Sequence, residues 1–420
     1  MTISYLNLNR IGEKFKSGFK RFHSTETALL KVFNDLLLAA DSGNSAILVL
    51  LDLSAAFDTV DHGILLSRLE HCVGVTGTAL KWFESYLTGR SFSVSLGEFS
   101  SSAAPLTCRV PQGSILGPLI FSLYMLPLGS IFRRHHIPFH CFADDVQVYM
   151  PIRVANRESL QPLLDCLVDI KVWIDVNFLN LNENKTEVIL FGRPGQVQVL
   201  TESLGPLASH SSPHAKNLGV FLDSSFKLSK QVSSVVQASF FQLRLLAKVK
   251  PYLPPKDLER VIHALITSRI DYCNSLYFGI DQASLHRLQV VQNAAARLLT
   301  GTRKFDRISP VLSDLHWLPV KQRIEFKILL FAFKALNGLA PDYLADLVSI
   351  HQPPRALRSA DQMFLEKRRS RLVNRGDRAF SVAAPELWNE LPFHIRSANS
   401  LNSFKSLLKT HLFSKAFGDA

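Results

Sequence analysis

Asp52 stands near the end of a continuous apolar run, AILVLLDL (46–53), and the adjacent Asp144 and Asp145 lie between two β-prone runs in IPFHCFADDVQVYM (137–150). A carboxylate ending a buried apolar strand is costly unless a divalent cation, a cationic partner or water offsets its desolvation. Adjacent strand residues point to opposite faces, so at least one of the paired aspartates can look across to a neighbouring strand. If both elements join one sheet, three carboxylates converge. Three carboxylates with no cation beside them in sequence are the donor set of a two-metal phosphoryl-transfer site. There, two Mg²⁺ ions roughly 3.5–4 Å apart serve the attacking and leaving oxygens, and hard oxygen ligands suit Mg²⁺. Taken alone, an Asp-Asp pair is more often a solvated turn than a metal site.

The elements that must position these residues are legible from period and punctuation. Ser24 and Thr25 offer capping chemistry to an apolar-periodic run, which predicts a helix over about 25–40. AILVLLDL has the length and the two-sided apolarity of a buried central strand. AAFDTVDHGILLSRLEHCV reads as a helix interrupted near Gly63, and ALKWFESYLTG as a second helix closed by Gly89. SFSVSLG alternates like a strand or hairpin, and FHCFADDVQVYM reads as a hairpin with the carboxylates at its turn. Residues 160–180 read as helix, EVILFG (187–192) as strand, 193–215 as loop and NLGVFLD (217–223) as a short strand. Helical periodicity follows around 228–249, 256–270, 283–300 and 320–337, and HQPPRALRSA (351–360) is the best linker in the second half.

Composition bounds the class. At 47% hydrophobic and 10% aromatic the chain can bury a large core and is neither disordered nor collagen-like. Lys and Arg number 47 against 35 Asp and Glu, a net +12. The C-terminal residues 301–420 hold 19 basic and 11 acidic groups, whereas residues 46–300 are nearly neutral at 22 against 20. A basic face favours a polyanion, although a solvated charge run is the commoner explanation of any one cluster, including Lys367 to Arg378. Five scattered cysteines without a CxxC pair, and no signal peptide, predict a reducing intracellular compartment. No charge occurs between Arg109 and Arg133, but the glycines and prolines there predict a buried segment and no membrane span. His135, His136, His140 and Cys141 lack the ligand spacing of a zinc finger, so no zinc is expected.

The order of these segments carries a resemblance. LDLSAAFDTVDH, then about sixty residues later RVPQGSILGPLIFSLYM, then FHCFADDVQVYM, LNENKTEVILFG and NLGVFLD are similar to motifs A to E of the reverse transcriptases of LINE-type, non-LTR retrotransposons. The resemblance covers roughly residues 17–300. It implies an α+β fold: a right-hand polymerase palm, an antiparallel sheet with helices, with partial fingers, a helical thumb and a helical C-terminal extension. The implied segments are partial fingers (1–45), palm (46–225), thumb (226–300), helical extension (301–350) and a basic C-terminal segment (351–420).

By this similarity Asp52, Asp144 and Asp145 hold the catalytic metals, two Mg²⁺ with Mn²⁺ as substitute. Phe57, five residues past Asp52, matches a steric gate against the 2′-hydroxyl; without the motif it reads as a core aromatic. Gln112 and Gly113 match a pair beside the incoming nucleotide, where glycine permits close backbone approach, or else a turn before a helix. Lys185 matches a general acid to the pyrophosphate leaving group, or else a solvated lysine. Ala143 would touch the primer end, Lys20 stands where arginine is frequent in the fingers, and Asn217, Leu218 and Gly219 match the primer grip. Implied partners are an RNA template, a DNA primer and dNTPs, with no membrane. The nucleus is the expected compartment for action on genomic DNA, otherwise the cytoplasm.

SGFKRFHSTETAL resembles the second fingers motif, and the motif before it is missing, so an N-terminally truncated copy is expected. Neither an apurinic-type endonuclease nor an RNase H pattern is present. The leading expectation is an RNA-directed DNA polymerase, and the alternative is a truncated or domesticated palm and thumb that binds nucleic acid without catalysis. A helical interaction scaffold leaves the ordered motifs unexplained.

Overall fold

The computed structural model describes residues 11–111, 113–152, 157–352 and 362–418. The strands, in chain order, are β1 Lys16–Ser17, β2 Ser45–Leu51, β3 Ser91–Phe92, β4 Ser95–Leu96, β5 Phe99–Ser100, β6 Ala104–Pro105, β7 Phe139–Phe142, β8 Asp145–Ile152, β9 Glu187–Phe191, β10 His214–Asn217 and β11 Val220–Asp223. Five of them form one sheet in the order β1-β7-β8-β2-β9. The apolar run before Asp52 becomes β2, in the interior of that sheet. Its Ala46, Ile47, Leu48 and Val49 are wholly buried, as an apolar pattern on both faces requires. The expected α+β class holds.

The chain divides into two compact units, residues Met1–Arg21, Ile47–Val188 and Pro194–Ser211 in the first, and Phe22–Ala46, Ile189–Arg193 and Ser212–Ala420 in the second. In the first, β7 pairs antiparallel with β8 and parallel with β1, Lys16 opposite Cys141 and Ser17 opposite Phe142. The uncharged stretch becomes the short helices Gly117–Tyr124 and Leu128–Arg134, whose Phe121, Tyr124 and Phe132 are fully buried. Buried Arg68 braces this layer by donating to the Tyr124 carbonyl and the Asn177 side chain, while Tyr124 Oη donates to the Asn177 carbonyl at 2.7 Å. Among the described residues no helix is long and apolar enough to cross a membrane.

The second unit is mainly helical. Thr25–Asp41 starts where expected: Ser24 Oγ accepts from the Thr27 amide and the Thr27 hydroxyl accepts from the Ser24 amide. Ser229–Val249 packs along Gln282–Thr300, and Val320–Leu336 packs against Phe380–Glu390 and Leu401–Phe417. In that last cluster Phe333 stacks on Phe404 at 4.2 Å, beside fully buried Trp388. The C-terminal segment is tied into the same unit through the first helix. Asp41 accepts from the amides of Arg371 and Leu372, Asn34 from that of Ser381, and Tyr343 Oη donates to Thr27. Arg375 and Arg378, read above as part of a solvated cluster, instead donate to the carbonyls of Ser225, Phe226 and Phe278.

Four local expectations are corrected. Residues 54–60 are turns and no helix, because the backbone there is engaged elsewhere: Ser54 donates to the Asn180 carbonyl, and Val110 and Arg109 donate to the carbonyls of Phe57 and Val60. Gly63 lies inside the first turn of His62–His71, whose N-cap is Asp61, accepting from the Ile64 amide at 2.8 Å. Most of 193–215 is helical, Pro194–Ser203 followed by a 3₁₀ segment, since a proline at the first helical position suits a helix start. NLGVFLD is the turn and second strand of a hairpin, β10 against β11. The linker at 351–360 falls almost wholly outside the described residues.

Candidate active site

Asp52 follows β2 directly, and its peptide is held from across the sheet: its carbonyl accepts from the Asn182 amide at 2.9 Å, and Leu53 bridges to Leu181. These bonds bring the 3₁₀ segment Glu183–Lys185, just before β9, to the carboxylate. Lys185 Nζ lies 3.1 Å from Asp52 Oδ2. The lysine side chain is two-thirds exposed (66%) and that of Asp52 is 28% exposed, so the pair is open to solvent and contributes little to stability.

Asp144 and Asp145 come from the β7–β8 hairpin. Phe142 pairs with Asp145, which leaves Ala143 and Asp144 as a two-residue turn. Ala143 has φ +55°, the conformation that a first turn residue of this tight class adopts, and one that disfavours a side chain. The turn is held in place by β1, with the Ala143 amide donating to the Ser17 carbonyl at 3.0 Å. Ser17 Oγ in turn lies 2.9 Å from His140 Nε2. The fingers-like segment thus pairs with the hairpin that bears the carboxylates.

Electrostatics link the three acids. Burial first, then the charges of Asp144 and Asp52, push Asp145 up to about 6. Burial also raises Asp144, with Asp52 adding to it; the Asp144 backbone bond, Lys16 and Lys185 pull the other way. β8 and β2 are neighbours in the sheet, and the charge of Asp52, just after β2, is felt by both Asp144 and Asp145 at the start of β8. Lys16, not singled out by sequence, is buried, donates to the Ser122 carbonyl at 3.2 Å and is pushed down to about 8 by its burial. No local pattern in the sequence marks a lysine as interior, so only the β1–β7 pairing reveals it.

Carboxylate oxygen is the donor type that suits a hard divalent cation. Among the described residues no three His, Cys, Asp or Glu side chains approach closely enough to ligate one ion, and Lys185 is the cation at Asp52.

The remaining residues are placed as follows. Phe57, half-buried, stacks on Phe121 with ring centroids 4.6 Å apart, which joins the motif after Asp52 to the helix after Gly113. Gly113 has φ +76° and open space where a Cβ would stand; Gln112 lies outside the described residues. Lys20 Nζ donates to the Glu13 carbonyl at 2.9 Å. Asn217, Leu218 and Gly219 belong to the second unit, at the β10–β11 turn. There Tyr272 Oη donates to the Leu218 carbonyl at 2.7 Å, and Gly219 has φ +85°.

The family model described as Reverse transcriptase (RNA-dependent DNA polymerase) matches residues 2–222. The probable RNA-directed DNA polymerase from transposon X-element of Drosophila melanogaster is 27% identical over 326 residues, covering 74% of this chain and 35% of the relative. The RNA-directed DNA polymerase from mobile element jockey of the same species is 25% identical, covering 72% of this chain and 33% of the relative. The chain therefore spans about a third of the length of these relatives. Its match to the family model and to mobile-element polymerases places it in the reverse transcriptase family, among the LINE-type, non-LTR members.

Proposed function

We propose that this chain is the polymerase core of a non-LTR element: it adds dNTPs to the 3′-hydroxyl of a DNA primer paired to an RNA template. The observation that carries the reading is that Asp52, just after β2, and Asp144 and Asp145, at the β7–β8 turn, belong to adjacent strands of one sheet, with Asp52 adding to the upward push on both other acids. In this reading Asp52, Asp144 and Asp145 would be the residues that hold two Mg²⁺ ions, whose chemistry when bound would be to neutralise charge on the attacking and leaving oxygens.

The chain's own residues do the rest. Lys185, on an exposed 3₁₀ segment and two-thirds open to solvent, carries a proton to the pyrophosphate leaving group. It releases Asp52 to do so. Phe57, backed by Phe121, offers a rigid ring against a 2′-hydroxyl. Gly113, with no side chain in the way, lets the backbone approach the nucleotide. Ala143 meets the primer end, Lys20 and Gln112 contact the nucleotide, and the Asn217–Gly219 turn grips the primer. If it acts on genomic DNA the protein works in the nucleus, and otherwise in the cytoplasm.

Extension of a DNA primer on an RNA template with Mg²⁺, compared with Asp52→Asn, tests this. Incorporation lost in the variant supports the polymerase. Salt-sensitive duplex binding with incorporation in neither protein replaces it with a nucleic-acid-binding role.

A further inference from the structure

The helix Gly77–Leu87 and the strand after it carry a feature that the polymerase chemistry leaves unused. Trp82 and Tyr86 are stacked nearly parallel, 9° between planes and 5.6 Å between centroids, one helical turn apart. A further turn along, the Arg90 guanidinium lies 5.0 Å from the Tyr86 ring centroid, and its Nε donates to the Tyr86 carbonyl at 2.8 Å. Trp82 is 53% exposed, and Arg90 is exposed as well. Trp is highly buried on average, whereas on this helix the buried residues are Phe83 and Leu87 and the indole stays open.

The ladder ends at a cavity of about 300 Å³ lined by Arg90, Ser91, Leu106, Arg109 and Pro111. Arg109 holds a left-handed backbone, φ +89°, and its Nε pairs with Asp58 at 2.8 Å. That backbone is fixed by the neighbouring turn, because the amides of Arg109 and Val110 donate to the carbonyls of Val60 and Phe57. The cavity therefore borders the segment that bears Phe57. Two guanidinium groups at one cavity provide for a phosphate, and an exposed indole ring provides for a base, since every base has a π-face. Stacking platform and cationic pocket in series are the two components of a single-strand track.

We infer that this ladder and cavity bind the unpaired template strand, an RNA single strand bordering the polymerase site, with a base on Trp82 and a phosphate between Arg90 and Arg109. The inference rests on the polymerase reading for the identity of the strand, but binding is measured without nucleotide addition. A polypeptide is the competing occupant, since the neighbouring hairpin exposes Leu96 and Phe99.

The test uses the full chain and two fluorescent probes in the absence of dNTPs: an RNA–DNA duplex with about ten unpaired 5′ ribonucleotides, within the span of a single-strand groove, and the same duplex blunt-ended. Trp82→Ala should weaken binding of the overhang probe about tenfold and leave the blunt probe unchanged, with Trp82→Phe restoring most of the loss. Arg90→Ala should lower the salt slope for the overhang probe by about one. Equal affinity of wild type and both variants for the overhang probe overturns the inference, as does a loss of self-association in Trp82→Ala with RNA binding intact. If the wild type extends primers and the overhang preference is insensitive to Trp82, the track fails and the polymerase stands. If the preference needs Trp82 but no primer is extended, the track stands alone.

Discussion

A side-chain carbon on Gly18 would stand 2.9 Å from the backbone nitrogen of Ala143, the residue before Asp144. Gly18 follows β1, which pairs with β7, and it adopts φ +89°. The fingers-like strand and the carboxylate-bearing turn are therefore in backbone contact, with no room for a methyl group. Gly18→Ala meets both a left-handed backbone and a backbone clash, for a cost of about 1–3 kcal/mol. The turn must shift to relieve it. Primer extension should fall by about tenfold or more, with a lower thermal midpoint; wild-type values for both would show that the turn tolerates displacement.

Phe57→Val removes the ring that stacks on Phe121. Stability should drop by about 1 kcal/mol for the lost aromatic pair. Discrimination between dNTP and the matching rNTP, measured as a ratio of kcat/KM values, should fall by roughly 10–100-fold. An unchanged ratio would assign Phe57 to packing alone.

The acids give a pH signature. Asp145 is held up at about 6, against an ordinary value of 3.8, mainly by burial. A carboxyl with a raised folded pKa stabilises the fold at pH below its unfolded value, and that contribution is lost as pH rises through about 6. In EDTA, the thermal midpoint of the wild type relative to Asp145→Asn should fall between pH 4 and pH 7. A divalent cation needs the carboxylate form, so its stabilising effect should grow over the same interval. Parallel melting profiles for the two proteins, with and without Mg²⁺, would contradict this assignment.

The C-terminal segment is predicted to be required for folding. Asp41, buried at the end of the first helix, accepts three backbone hydrogen bonds from Arg371 and Leu372 across 330 residues of sequence. Asp41→Ala leaves those amides without their charged acceptor and should cost about 2–4 kcal/mol in urea unfolding. Deleting residues 362–418 uncovers Phe333, since Trp388 and Phe404 leave with them. The shortened chain should be insoluble or molten, and a cooperative melt would show the segment to be dispensable.

The sequence reading captured what strong periodicity and continuous apolar runs encode. The strand ending at Asp52, the hairpin around Asp144 and the helices beginning near residues 25, 229, 282 and 320 form close to where they were placed. It failed where long-range backbone bonds decide the local state. Ala55 to Asp58 have helical composition, yet Phe57 accepts from Val110, over fifty residues away in sequence. Likewise a loop-like Pro194-Gly195 turned out to open a helix, because proline disrupts a helix interior but suits its first position. Within the site, Asp52 and Lys185 were both named, but their 3.1 Å pairing depends on Asn182 binding the Asp52 carbonyl. Buried Lys16 carried no sequence signal, and basic clusters such as Arg375 and Arg378 cannot be told from solvated ones until their carbonyl partners are seen.

Single-turnover addition of one dNTP to a DNA primer on an RNA template, with Mg²⁺, for wild type and Asp144→Asn, tests the central claim most directly. The account predicts addition by the wild type and a loss of at least about 100-fold in the variant, with template-primer affinity retained. Equal addition by both proteins, or none by the wild type while it binds the template-primer, would contradict it.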